Sequence, residues 1–152
     1  MQLKTAKEIF GEFDEGDYCP FYNYSPIIDS FGKVLLQVNE ANYQGDSWVI
    51  YEAEEDKIAY LNFGWGSCPG CDALQACNTY EDLDNLIKRL YDSIQIFTKE
   101  EFKEFILNKE ARKGSYSWSS EDFKKFIKQA TELLRTEMPE DYFEEEIYYD
   151  GD

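Results

Sequence analysis

Histidine is absent from all 152 residues of this chain, and basic residues are scarce. The first absence removes the side chain most used as a general base near neutral pH, and a common metal ligand. The second, 15 Lys+Arg against 32 Asp+Glu for a formal net charge of −17, works against nucleic acid and anionic membrane alike. No apolar run approaches the roughly 20 residues a membrane helix needs. The N-terminus, MQLKTAKEIFGEF, lacks the charged, apolar and small-residue regions of a signal peptide. The expected compartment is a reducing cytoplasm, where cysteines are thiols or metal ligands before they are disulfides.

What is present argues for a packed core. Hydrophobic residues make up 43% of the chain and aromatics 17%, with 12 Tyr and 11 Phe, so the high net charge does not imply disorder. The length suits one domain, expected over residues 1–138 and followed by an acidic aromatic tail, 139–152. Acids concentrate in the middle of the chain and in that tail. Between Lys33 and Lys88 the only basic residue is Lys57, and Glu137–Asp152 holds eight carboxylates and no base. Tyr142, Phe143, Ile147, Tyr148 and Tyr149 are interleaved with those acids. The tail reads either as a frayed, solubilising terminus or as a recognition segment whose aromatics dock while carboxylates meet basic groups.

Thr5-Ala6-Lys7-Glu8 has the pattern of a capping box. It opens a short helix with Ile9, Phe10 and Phe13 on one stripe, ended by the acidic stretch Asp14 to Asp17. From Pro26, the positions Ile27, Ile28, Phe31, Val34, Leu35 and Val38 share one helical face and predict a continuous helix. The alternative is a strand over Lys33 to Val38, favoured by Gly32 and by the alternation of Val34, Leu36 and Val38. Ser47 to Glu52 and Lys57 to Phe63 predict strands, and Glu54-Glu55-Asp56 between them makes an antiparallel hairpin. Helices are expected from Thr79 (Leu83, Leu86, Ile87, Leu90), from Thr98 (Phe102, Phe105, Ile106) and from Ser119 or Ser120 (Phe123, Phe126, Ile127, Ala130, Leu133, Leu134). Ser93 to Phe97 reads as a third strand. The class is α+β: a small antiparallel sheet, hairpin 47–63 plus strand 93–97, covered by several short helices.

The segment Phe63 to Cys77, FGWGSCPGCDALQAC, gathers three of the four cysteines and three glycines between a strand and a helical turn. Three readings stand. A C-x-x-C at Cys68 and Cys71 ahead of a helix has the context of a thiol redox site. Against it, the only proline after Pro69 is Pro139, and no βαβ crossover precedes the loop. Cys19, Cys68, Cys71 and Cys77 make a candidate four-thiolate zinc site, so the cofactor expectation is none, with one zinc as the alternative. In the third reading Gly64, Gly66 and Gly70 permit a tight turn while the thiols pack as small hydrophobes. A phosphate cradle fails on charge, since Asp72 follows directly and the only base near the segment is Lys57, at the start of the preceding strand.

Tyr43-Gln44-Gly45-Asp46, the hairpin, the GWGSC-x-GCDAL-x-A core and Gly114-Ser115-Tyr116-Ser117-Trp118 together resemble a group of small uncharacterised phage and bacterial mobile-element proteins. That likeness spans roughly residues 43–130. The group has no assigned activity, so no functional residue carries over. The resemblance implies an origin in a phage or its host, hence a bacterial cytoplasm.

Catalysis is not expected. Asp46, Glu55 and Lys57 echo a carboxylate nuclease, but Glu55-Asp56-Lys57 falls at the hairpin turn, away from a rigid strand. The surface instead suits a basic protein. The expected function is a non-enzymatic acidic inhibitor that occupies the nucleic-acid groove of a basic host protein, such as a defence nuclease, as anti-CRISPR and anti-restriction mimics do. Its expected contacts are Glu52, Glu54, Glu55 and Asp56 on the hairpin and Glu140, Asp141, Tyr142, Glu144, Glu145 and Glu146 in the tail.

Overall fold

The computed structural model describes residues 1–16, 21, 23–40, 45–66, 72–107 and 121–137. Four strands form one antiparallel sheet in sequence order: β1 (Val34–Asn39), β2 (Gly45–Glu52), β3 (Lys57–Trp65) and β4 (Gln95–Thr98). The predicted α+β class with a small antiparallel sheet is what the chain adopts. The central ribbon pairs Gly45 with Trp65 at one end and Glu52 with Ile58 at the other. β4 joins β3 through Lys57–Thr98 to Tyr60–Gln95. Five helices are described: α1 (Ala6–Phe10), α2 (Ser25–Ser30), α3 (Tyr80–Asp92), α4 (Lys99–Leu107) and α5 (Glu121–Glu137).

Strand alternation divides the core in two. Val49, Tyr51, Ala59, Leu61 and Phe63 pack with Ile27, Ile28 and Phe31 of the α2 region and Leu83, Leu86, Ile87 and Leu90 of α3. Trp48, Ile50, Ile58 and Tyr60 turn the other way, onto Phe102 and Ile106 of α4 and Phe123, Phe126, Ile127, Ala130 and Leu134 of α5. Both sheet faces are therefore covered, which is why β2 and β3 read as nearly continuous apolar runs rather than as half-polar strands. The sheet is a middle layer between two helical ones.

The caps match their sequence patterns. Thr5 Oγ1 accepts from Glu8 N at 3.2 Å and Glu8 Oε1 accepts from Thr5 N at 3.1 Å. Thr98 and Glu101 repeat the arrangement at α4, at 2.8 and 3.1 Å. Thr79 caps α3 by accepting from Asp82 N at 3.1 Å.

Two expectations fail. The helix from Pro26 does not run on to Val38: α2 stops at Ser30, and the chain becomes β1, pairing Leu36 to Asn39 with Ile50 to Ser47. The reason is that Ile27, Ile28 and Phe31 belong to one core cluster and Val38 to the other. A single helical face cannot reach both sides of a sheet; a strand on its edge can. α1 also ends earlier than the acids at Asp14, at Gly11, which takes φ 77° and closes the helix with its N–H on Lys7 O. The predicted tail, Tyr43 and Gln44, Gly114 to Trp118 and the cap at Ser119 or Ser120 lie outside the described residues.

Candidate functional site

The hairpin acids sit where the ribbon turns. Glu54, Glu55 and Asp56 are exposed, as is Glu52 beside them. Glu54 O accepts from Lys57 N at 2.9 Å, and Asp56 O accepts from Lys99 N at 3.2 Å, which ties the turn to the start of α4. Asp56 takes a left-handed φ of 63°, a conformation Asp tolerates better than most residues. Glu52 meets Lys33 at 3.6 Å, with both side chains largely in solvent, so that pair leaves the carboxylate accessible and contributes little stability. These four predicted contact residues are thus displayed together on a fixed corner. Glu140, Asp141, Tyr142, Glu144, Glu145 and Glu146 lie outside the described residues.

The cysteine loop is closed by an acid. Its flanks, Gly66 and Asp72, are joined by a buried hydrogen bond from Gly66 N to Asp72 Oδ2 at 2.8 Å. Asp72 Oδ1 accepts from Leu74 N at 2.8 Å, Gln75 N at 3.1 Å and the Tyr24 hydroxyl at 2.9 Å. Gln75 Nε2 then donates back to Gly66 O at 3.1 Å. One carboxylate thus starts the turn after the loop, anchors the loop's entry and holds a buried tyrosine. Burial pushes the Tyr24 phenol pKa well above its ordinary value; the Leu74 N–H opposes that shift, and the Asp72 charge adds to it.

Of the candidate zinc ligands, Cys19, Cys68 and Cys71 lie outside the described residues. Cys77 is only 5% exposed, lies in the core cluster with Leu74 and Leu83, and donates its thiol to Ala73 O at 3.2 Å. Those contacts are what a thiol packed as a small hydrophobe makes. No group of three His, Cys, Asp or Glu gathers at metal-binding range among the described residues.

At the opposite end of the ribbon from the hairpin turn lies a cleft of about 370 Å³. It is lined by the aromatic rings of Tyr24, Phe63 and Trp65, by the buried Ser47 and Asp72 and by the more exposed Gln37 and Asn39. A hydrogen-bond chain runs along it. Trp65 Nε1 donates to Ser47 Oγ at 2.9 Å, Ser47 Oγ donates to Asn39 Oδ1 at 2.6 Å, and Gln37 Nε2 donates to the same oxygen at 3.0 Å. Glu40, 7% exposed, also lines the cleft, and its Oε1 accepts from Asp46 N at 2.7 Å. Gly45 is required beside it, because a Cβ there would lie 2.9 Å from Glu40 Cβ.

Sequence reasoning missed this cleft. Gln37 and Asn39 carry no functional signal while the stretch from Pro26 reads as a helix, and Asp72 by itself speaks only against phosphate. The available signal was the polar–apolar alternation Leu36-Gln37-Val38-Asn39, together with an acid placed directly after the C-x-x-C.

No family model, no curated protein and no solved structure matches this chain. No described helix is long and apolar enough to cross a membrane.

Proposed function

We propose that this chain is an acidic, non-enzymatic binding protein that engages a basic, nucleic-acid-binding protein of a bacterial host and acts as a phage-type inhibitor of it. One observation carries the reading. Glu52, Glu54, Glu55 and Asp56 project into solvent from the tip of a ribbon buried on both faces, with Lys33 and Lys57 the bases nearest in sequence. A rigid display of carboxylates loses little entropy on docking and presents charge as a phosphate backbone does. The absence of histidine and the purely structural bonding of Asp72 agree with a binding role rather than a catalytic one. The bacterial setting comes from the resemblance of the Tyr43–Asp46 and Phe63–Cys77 segments to phage proteins.

The test begins with proteins of a bacterial lysate retained on the purified chain at low salt and displaced by added DNA. Affinity for a retained protein is then titrated against salt for the native chain and for the variant E52Q/E54Q/E55Q/D56N. Asparagine tolerates the left-handed position of Asp56, so the turn is preserved. Loss of affinity in the variant at low salt supports the reading. Unchanged affinity refutes it.

A further inference from the structure

The cleft bounded by Tyr24, Phe63, Trp65 and Asp72 has a chemistry of its own. Asp72 is 5% exposed, and the four donors that reach it are a phenol and three backbone N–H groups, all neutral. A negative charge therefore lies beneath the cleft with no cationic side chain bonded to it. Both of its oxygens are occupied, so a metal ion could bind them only by displacing the bonds that close the cysteine loop. Anions are repelled by this charge, and an apolar ligand would strip water from Gln37 and Asn39 for no return. A planar organic cation meets every feature. It is attracted by Asp72 without contacting it, it faces aromatic walls, and it finds the Gln37 Oε1 acceptor on the rim, which makes no hydrogen bond within the described residues.

We propose that this cleft receives the guanidinium of an arginine side chain presented by a protein partner. Guanidinium is favoured over ammonium because it is planar, more weakly hydrated and carries several donors in a fixed fork. A peptide-borne arginine is favoured over the free amino acid because the latter brings a carboxylate into an already negative site. About 370 Å³ is near the lower end of small-ligand sites and suits one long side chain. The proposal rests on the reading of a basic partner, but the cleft is a separate point of contact. Ser47 in the cleft and Glu52, the first of the hairpin acids, are five residues apart along β2, a separation of roughly 17 Å.

The probe is acetyl-arginine-N-methylamide, titrated into the full ¹⁵N-labelled chain. The Trp65 indole N–H and the side-chain amides of Gln37 and Asn39 report on binding. Saturable shifts at these groups are expected, with the uncharged citrulline analogue at least about tenfold weaker. The lysine analogue and free arginine should also be weaker than the probe. Gln37→Ala removes the Oε1 acceptor and costs only the one bond that Gln37 Nε2 donates to Asn39 Oδ1, so it should weaken the probe several-fold and leave the fold intact. Equal binding of citrulline would overturn the cation site, and equal binding of lysine would overturn the guanidinium assignment. Failure to saturate at Trp65 by roughly 20 mM, beyond the range of a specific weak site, would overturn both. The variant E52Q/E54Q/E55Q/D56N should bind the probe as the native chain does. The two readings therefore fail separately: loss of the probe site leaves hairpin-dependent partner binding intact, and the reverse also holds.

Discussion

Replacing Asp72 with alanine tests whether one carboxylate ties Gly66, Tyr24 and the turn at Leu74 together. Two donors depend on it alone: the buried Gly66 N–H and the Tyr24 hydroxyl, whose other contact is as acceptor from Leu74 N at 3.1 Å. Leu74 N keeps that second partner, and Gln75 is half-buried at the edge. Each orphaned buried donor costs about 1–3 kcal/mol, and water entering the cleft recovers part of it. The expected destabilisation is therefore about 3 kcal/mol for Asp72→Ala. Tyr24→Phe loses only a hydroxyl and leaves the three backbone bonds intact, so about 1 kcal/mol is expected. Urea unfolding followed by near-UV circular dichroism gives both values, with the m-value checking that the unfolded state is unchanged. If Asp72→Ala cost under about 1 kcal/mol, or no more than Tyr24→Phe, the anchor assigned to Asp72 would be wrong.

Three further outcomes are expected. Gly45→Ala should destabilise by about 1–3 kcal/mol, since the new methyl meets Glu40 Cβ at 2.9 Å; a neutral result in thermal melts would contradict that close approach. The Glu8 and Glu101 carboxyls are held below the ordinary carboxylate range, chiefly by backbone N–H bonds from Thr5 and Thr98. Their contribution is present above the unfolded value of 4.5 and is lost as pH falls through the lowered folded value. Native-state hydrogen exchange at the first turns of α1 and α4 should accelerate over that window, and a flat profile would count against the capping boxes. Trp48 is fully buried, and its indole N–H finds no acceptor among the described residues. Trp48→Phe should therefore cost only about 1–2 kcal/mol, well below the 3–5 typical of truncating a large aromatic to alanine; a loss of that larger size would show that the indole has a partner.

Where local signals and tertiary demands agree, the chain can be read directly. Thr5 with Glu8, Thr98 with Glu101 and Thr79 mark helix starts because the bonds they make are local. The ribbon 47–63 is legible because its apolar runs and its acidic turn permit one pairing. The stretch Ile27–Val38 was misread because its apolar residues fit a helical period by coincidence, while they serve two cores on opposite sides of the sheet. Only the pairing with β2 separates those cores, and that pairing is non-local. The cleft was hidden for the same reason. Tyr24, Ser47, Trp65 and Asp72 belong to four different segments, and nothing in their spacing shows that a phenol and an acid 48 residues apart will meet.

Under the proposed function, the acids at the hairpin tip make the contact with the partner. The measurement that meets it most directly is the salt dependence of binding to a DNA-displaceable bacterial protein, compared between the native chain and E52Q/E54Q/E55Q/D56N. With four carboxylates engaged, native affinity should fall steadily between about 50 and about 200 mM salt as added ions screen the exposed charges. The variant should bind weakly at both concentrations, with a much flatter slope. Identical slopes and affinities for the two proteins would contradict the account.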